Sequence, residues 1–192
     1  GYGLSATPLQ IAQAYATLGG EGMRRPISFL KVEQPVSGER VLPSQVSRDV
    51  VDMLRAVVSA DIGTGKRAAI PGYTVAGKTG TAWKASAGGY STNRYLSVFA
   101  GLAPASNPRL ATVVVIDEPG AGLYYGGDVA APVFSKVVGG ALRLLAVAPD
   151  APVDGLTDQL PEILPESLEA PGNSLITNIA QRGSTANGEV RR

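Results

Sequence analysis

Lys78, Thr79, Gly80 and Thr81 place an ammonium, two hydroxyls and a residue without a side chain at consecutive positions. On a β-strand, Lys78 and Gly80 face one way while Thr79 and Thr81 face the other. At a sheet edge, twist lets both faces meet one ligand, and Gly80 leaves room for a ligand backbone to approach. A cation with two hydroxyl donors suits an anionic, peptide-like substrate. Taken alone, the tripeptide Lys78-Thr79-Gly80 favours a plainer reading, in which Lys78 guards an edge strand against aggregation.

The rest of the composition narrows the chemistry. The chain has no cysteine, which removes disulfides, thiolate zinc sites and thiol nucleophiles. It has no histidine, which removes the commonest general base and every Ser-His-Asp triad. Acid–base work falls to Lys, Tyr or carboxylates, and no metal or cofactor is expected. A net charge of +1 over 192 residues gives no field that would gather nucleic acid, so no nucleic-acid partner is expected. With 44% hydrophobic and 17% charged residues, the chain suits one globular domain. It begins Gly1-Tyr2-Gly3, without Met and without a run apolar enough to cross a bilayer, and is expected to be a piece of a longer protein.

A strong rival overlaps the same residues. Gly72 to Thr79 matches the phosphate-loop pattern Gly-x4-Gly-Lys-Thr, and Val113 to Glu118 resembles an apolar strand ending in a magnesium-holding acid. A phosphate loop needs an apolar strand before its first Gly and a helix starting at Lys-Thr. Here Pro71 precedes Gly72, Arg67 to Ile70 is short and weak, and Gly80, Gly88 and Gly89 break any helix after Thr79. The nucleotide reading is therefore rejected, and Asp117 and Glu118 are given no chemistry.

The elements that must position the strand read as follows. Thr7-Pro8, a stripe of Leu9, Ile11, Ala12, Tyr15 and Leu18, and Gly19-Gly20 predict a capped helix. Arg24 to Val41 predicts a hairpin-like excursion with strands at Ile27 to Val32 and Arg40 to Leu42. Ser47 is expected to cap a helix over Asp49 to Ser59. Tyr73 to Ala82 predicts the strand with Lys78. Leu96 to Leu102 and Leu110 to Ile116 predict an antiparallel pair reversed by Pro104 to Pro108. Pro132 is expected to open a last helix ending near Leu145. From 148 to 192, repeated prolines and acidic residues predict a solvated, disordered tail, in which Leu156, Leu160, Ile163 and Leu164 could only form a brief docking turn.

Blocks around the strand change its reading. Gly1 to Gln10, Gly63-Thr64-Gly65-Lys66-Arg67-Ala68, Val75 to Ala82, Phe99 to Pro104, and Tyr125-Gly126-Gly127 through Ala131-Pro132-Val133-Phe134 occur in one order. In that order, residues 1–147 resemble the C-terminal part of the transpeptidase domain of class B penicillin-binding proteins, in particular the septal peptidoglycan D,D-transpeptidases of cell division. The resemblance implies an α/β sandwich with a mainly antiparallel sheet flanked by helices, of which this chain supplies three strands and the closing helix. It implies a parent that cross-links stem peptides, drawn from lipid-linked precursor and existing glycan strands, through a serine acyl-enzyme. It also implies β-lactam binding, cell-division proteins as partners, and an inner-membrane anchor with the catalytic domain in the periplasm.

Residue by residue, the resemblance puts the third family motif at Lys78, Thr79 and Gly80. Thr79 and Thr81 hydroxyls would hold a substrate or β-lactam carboxylate, Lys78 would supply positive potential, and the Thr81 N–H would be one oxyanion donor. Tyr90, Tyr124 and Tyr125 would contact the ligand. Trp83 departs from the family's usual basic or small polar residue. Ser28-Phe29-Leu30-Lys31 and Ser91-Thr92-Asn93 spell the other two motifs, but Ser28 lies in a β-rich stretch and Ser91 follows Lys78 in the wrong order. Both are taken as chance matches, so the nucleophile lies outside this chain, which alone is expected to be inactive. A D,D-carboxypeptidase, a β-lactamase and a non-catalytic β-lactam sensor share the fold and stay open as alternatives.

Overall fold

The computed structural model describes residues 4–34, 36–86, 89–120 and 122–152. All of these lie in the first of two compact units, Gly1–Asp154. Helix α1 spans Pro8–Gly19. Its start is fixed by a capping box: the Thr7 hydroxyl accepts from Gln10 N at 3.2 Å while Gln10 Oε1 accepts from Thr7 N at 2.8 Å. Strands β1, Met23–Arg24, and β2, Glu39–Arg40, pair antiparallel. The excursion thus closes on itself, but the expected strand at Ile27 to Val32 is absent. Pro26 cannot donate to a ladder, and the Ser28 hydroxyl accepts from Leu30 N at 3.1 Å, turning the chain instead.

Helix α2 spans Ser44–Ser59, beginning before the expected Asp49. Ser47 is therefore not its cap. The Ser47 N–H bonds Pro43 O at 3.2 Å inside the first turn, and its hydroxyl is buried without a hydrogen-bond partner. Strand β3 runs Ala76–Ser86, β4 Gly89–Ala103 and β5 Leu110–Asp117, in the order β3-β4-β5 with both pairings antiparallel. The strand with Lys78 starts three residues later than expected, because Tyr73 N turns back to Ile70 O at 3.0 Å. Pairing of Trp83 with Tyr95 and of Ala85 with Tyr90 carries it beyond Ala82.

Helix α3 spans Gly126–Leu144, so Pro132 sits inside it rather than at its start. A proline here leaves the carbonyl four residues earlier without its helical donor. That carbonyl is Asp128 O, and Arg67 Nη1 donates to it at 3.3 Å while also reaching the Asp128 carboxylate at 3.4 Å. A side chain 61 positions away thus supplies the bond that Pro132 removes.

Alternation along β4 builds two clusters. Phe99 and Ala103 face α3, packing with Ala130, Ala131, Phe134, Val138 and Leu142, and Val58 at the end of α2 joins them. Leu102 faces the other way, with Ala76 of β3, Val51 of α2 and Tyr15 and Leu18 of α1. The sheet is therefore sandwiched between α1 with α2 and α3. Among the described residues no helix is long and apolar enough to cross a membrane.

The chain after α3 folds back on the entry to β3. The Tyr73 hydroxyl donates to Val147 O at 2.7 Å, Thr74 N donates to Asp150 Oδ1 at 2.7 Å, and the Thr74 and Ser106 hydroxyls both donate to Asp150 Oδ2. Contacts thus continue past residue 147, while residues 153–192, with the rest of the expected tail and its leucine turn, lie outside the described residues. Burial pushes the Asp150 carboxyl up, but hydrogen bonds from Ser106 and Thr74 outweigh it and leave the group below its ordinary value. Its stabilisation is then full above the unfolded carboxylate value, about pH 4, and is lost as pH falls through the lower folded value. Asp150→Asn is expected to cost about 1–3 kcal/mol at neutral pH. Thermal unfolding should show the gap to the unsubstituted protein narrowing below about pH 4; a gap independent of pH would contradict the assignment.

Candidate functional site

Strand β3 ends the strand order and pairs with β4 alone among the described residues, so its other edge is open. The two glycines of the phosphate-loop pattern have other causes. Gly72 takes φ +81° in the turn after Pro71, and a Cβ on Gly77 would collide with the Phe99 ring across the strand pair. Thr79 continues into strand, not helix, so no ring of helix amides forms around Lys78.

Thr79 and Thr81 are cross-strand partners of Phe99 and Ser97, which places both on the α3 face. Helix α3 begins directly against them. A Cβ on Gly126 would collide with Val98 O and Gly80 O, and one on Gly127 with Thr64 O. Only glycine lets the helix end approach the strand this closely. Gly126 N donates to Thr81 Oγ1 at 3.0 Å. The result is an open pocket of about 360 Å³, walled by Thr79 and Thr81, by Thr64, Lys66 and Arg67, and by Tyr125 to Asp128.

Lys78 starts on the opposite face, yet Nζ curls round the open edge to Thr79 O at 3.2 Å and Thr79 Oγ1 at 3.3 Å. Each threonine hydroxyl therefore accepts from a positively polarised donor: Lys78 Nζ for Thr79, and the N-terminal amide of α3 for Thr81. Each hydroxyl still has a proton to donate, and both stand on the pocket wall. Two hydroxyls beside a cation and a helix N-terminus have the chemistry to receive a carboxylate. No group of side chains suited to hold a metal ion occurs among the described residues.

The tyrosines divide. Tyr124 stacks on Tyr95 with ring centroids 4.2 Å apart, Tyr125 tilts against Tyr124 at 4.5 Å, and Tyr125 lines the pocket. The hydrogen bond from the Tyr124 hydroxyl to Tyr125 raises the Tyr124 phenol above its ordinary value. Tyr90 instead pairs with Ala85, four positions beyond Thr81 and roughly 13 Å further along the strand. The structure does not bring it to the hydroxyl pair.

Ser28 lies on an exposed turn, its hydroxyl within reach of Leu30 O at 2.8 Å, and no helix puts Lys31 on its face. Ser91 lies in β4 with its hydroxyl on Asn93 Oδ1 at 2.9 Å. Neither forms a nucleophile–base pair. Lys84 pairs with Asp117 at 2.8 Å and Glu118 at 2.7 Å, so the acidic end of β5 is engaged in a surface ion cluster.

Three parts of the site had no assigned role in the sequence. Thr64 Oγ1 lies 3.0 Å from Thr79 Oγ1, the Ser97 hydroxyl donates to Tyr124 O and fixes the turn into α3, and Arg67 holds Asp128. Thr64 and Arg67 stand in a block already noted for its order, but contacts with residues 15 and 61 positions away leave no local trace.

Comparison with known proteins bears on the family and the fold. The model of the penicillin binding protein transpeptidase domain matches residues 1–139. The chain is 52% identical over 155 residues to the peptidoglycan D,D-transpeptidase FtsI of Escherichia coli K12, covering 81% of this chain and 26% of that protein. It is 40% identical over 161 residues to the probable peptidoglycan D,D-transpeptidase PenA of Neisseria meningitidis, covering 84% and 28%. The apo transpeptidase domain of Burkholderia pseudomallei penicillin-binding protein 3 superposes with a TM-score of 0.73 at 44% identity, covering 79% of this chain and 46% of that one. The chain thus spans about a quarter of the length of these relatives and under half of the solved domain. With an α/β sandwich of the expected kind and a family model covering most of its length, the chain belongs to the penicillin-binding protein transpeptidase domain family.

Proposed function

We propose that this chain is the carboxylate-binding half of a peptidoglycan D,D-transpeptidase site, whose parent cross-links stem peptides through a serine acyl-enzyme during septal wall synthesis. The observation that carries the reading is the pair of hydroxyls at Thr79 and Thr81, each accepting from a positive donor beside the open edge of β3. A stem peptide ends in a carboxylate, and a β-lactam carries one in the equivalent place. Thr79 and Thr81 donate to it, and Lys78 and the α3 N-terminus stabilise its charge.

Anchoring the carboxylate fixes the neighbouring peptide along β3, where Gly80 leaves the approach open, and this positioning is what raises the rate of attack on the scissile carbonyl. The Thr81 N–H is one of two donors to the oxyanion, the other being the N–H of the serine nucleophile contributed by the rest of the domain. Tyr124 and Tyr125 contact the remainder of the ligand, and Tyr90 contacts its far end. Since peptidoglycan is assembled outside the cytoplasmic membrane, the site works in the periplasm on a parent anchored in the inner membrane, among cell-division proteins.

A fluorescent penicillin separates this reading from its rivals. Covalent labelling of the full-length protein, and none of the isolated 192-residue chain, is expected. Labelling of the chain itself, at Ser28 or elsewhere, would show a nucleophile where none is assigned. An unlabelled full-length protein would end the reading.

A further inference from the structure

We propose that Thr64 is a positioning residue for carboxylate recognition, setting the direction in which the Thr79 hydroxyl donates. The inference rests on the carboxylate-binding reading above and extends it to a loop with no assigned part in it.

A hydroxyl has one proton and two lone pairs. At Thr79, Lys78 Nζ, which can only donate, occupies one lone pair at 3.3 Å. Among the described residues, its other hydrogen-bonding neighbour is Thr64 Oγ1 at 3.0 Å, and from distance alone either hydroxyl could donate. The two directions have opposite consequences. If Thr79 donated to Thr64, its proton would point away from the pocket and a carboxylate, which can only accept, would meet a lone pair. If Thr64 donates, both Thr79 lone pairs are filled, and its proton is left for the anion. Arrival of a carboxylate selects the second direction, and the chain Thr64 to Thr79 to carboxylate strengthens each bond in it.

The loop is built to hold Thr64 there. Gly63 N bonds Ala60 O at 2.9 Å and Gly65 N bonds Val57 O at 3.0 Å, tying both flanks to the end of α2. On the other side, the Thr64 carbonyl packs so closely on Gly127 that a side chain would not fit. The hydroxyl is thus presented to Thr79 by two helices at once, α2 and α3. Lys66 and Arg67 follow directly on the same pocket wall, with Arg67 committed to Asp128.

The test uses the full-length protein with Thr64→Val, which keeps the β-branched shape, and Thr64→Ser, which keeps the hydroxyl. Acylation rate constants are measured with benzylpenicillin and with its methyl ester, which lacks the negative charge. With the acid, Thr64→Val is expected to be slower by about tenfold and Thr64→Ser by no more than about twofold. With the ester, both variants should match the unsubstituted protein, and melting temperatures should agree. An undiminished rate for Thr64→Val with the acid overturns the proposal, as does an equal loss with acid and ester, or a serine variant as slow as the valine one. If the unsubstituted protein is not acylated at all, the transpeptidase reading itself fails, which is distinguishable from a failure confined to Thr64.

Discussion

Lys78→Met in the full-length protein is expected to slow acylation by benzylpenicillin by about a hundredfold, the scale on which loss of one preorganised donor acts. The substitution keeps the aliphatic stem along β3 and removes only the ammonium that reaches Thr79 O and Thr79 Oγ1. Two effects then combine. The pocket loses the ammonium that lies 3.3 Å from Thr79 Oγ1, and the Thr79 hydroxyl loses the charged donor that engaged one of its lone pairs. Lys66 and Arg67 do not compensate, since Lys66 reaches toward Asp61 at 3.6 Å and Arg67 toward Asp128 at 3.4 Å. Lys78→Arg should recover only part of the rate, because a planar guanidinium cannot reproduce the curl of a single ammonium onto its own strand. A time course of covalent labelling measures this directly, and a Met variant within threefold of the original would remove Lys78 from the account.

Phe99→Ala should be the most damaging substitution for the fold, costing about 3–5 kcal/mol. Phe99 is fully buried and meets Phe134 at a ring separation of 4.8 Å with the planes 59° apart. Its ring also fills the space left by Gly77 and Gly101, and its edge lies over Gly65. One side chain therefore joins β3 and β4, the underside of α3 and the loop that carries Thr64. Glycine opposite an aromatic ring leaves nothing to close over the cavity, so little of the loss can be recovered by relaxation. Urea unfolding checks the magnitude, and a cost below about 1 kcal/mol would mean that the ring is not the joint described.

Where local chemistry decides, the sequence was legible. The Thr7–Gln10 capping box, the strand character from Ala76 onward and the absence of a helix after Thr79 all follow from neighbouring residues, and with them the rejection of the nucleotide motif. The antiparallel arrangement of the strands around Pro104 to Pro108 was equally plain. Other features were hidden because distant residues set them. Pro132 reads as a helix start unless Arg67 is known to serve the carbonyl it strands. Ser47 reads as a cap unless its burial against the core is seen. The first half of β4 carries Ser91, Asn93 and Arg94, which suggest a loop; the strand is extended past them by the pairs Trp83–Tyr95 and Ala85–Tyr90 on either side, with an irregular register between. In the site, Lys78, Thr79 and Thr81 stood out by type and spacing but alone read as a guarded edge strand, and only the ordered blocks around them singled them out for a role. Thr64 did not stand out, since its relation to Thr79 exists only once the end of α2 and the N-terminus of α3 converge.

The central claim is that the Thr79 and Thr81 hydroxyls together hold the carboxylate. A crystal structure of the full-length protein acylated by benzylpenicillin tests it most directly. The penicillin carboxylate should lie within about 3.2 Å of both Thr79 Oγ1 and Thr81 Oγ1, with Lys78 Nζ still on Thr79. A carboxylate seated instead on Lys66 or Arg67, with either threonine hydroxyl turned away from it, would contradict the account.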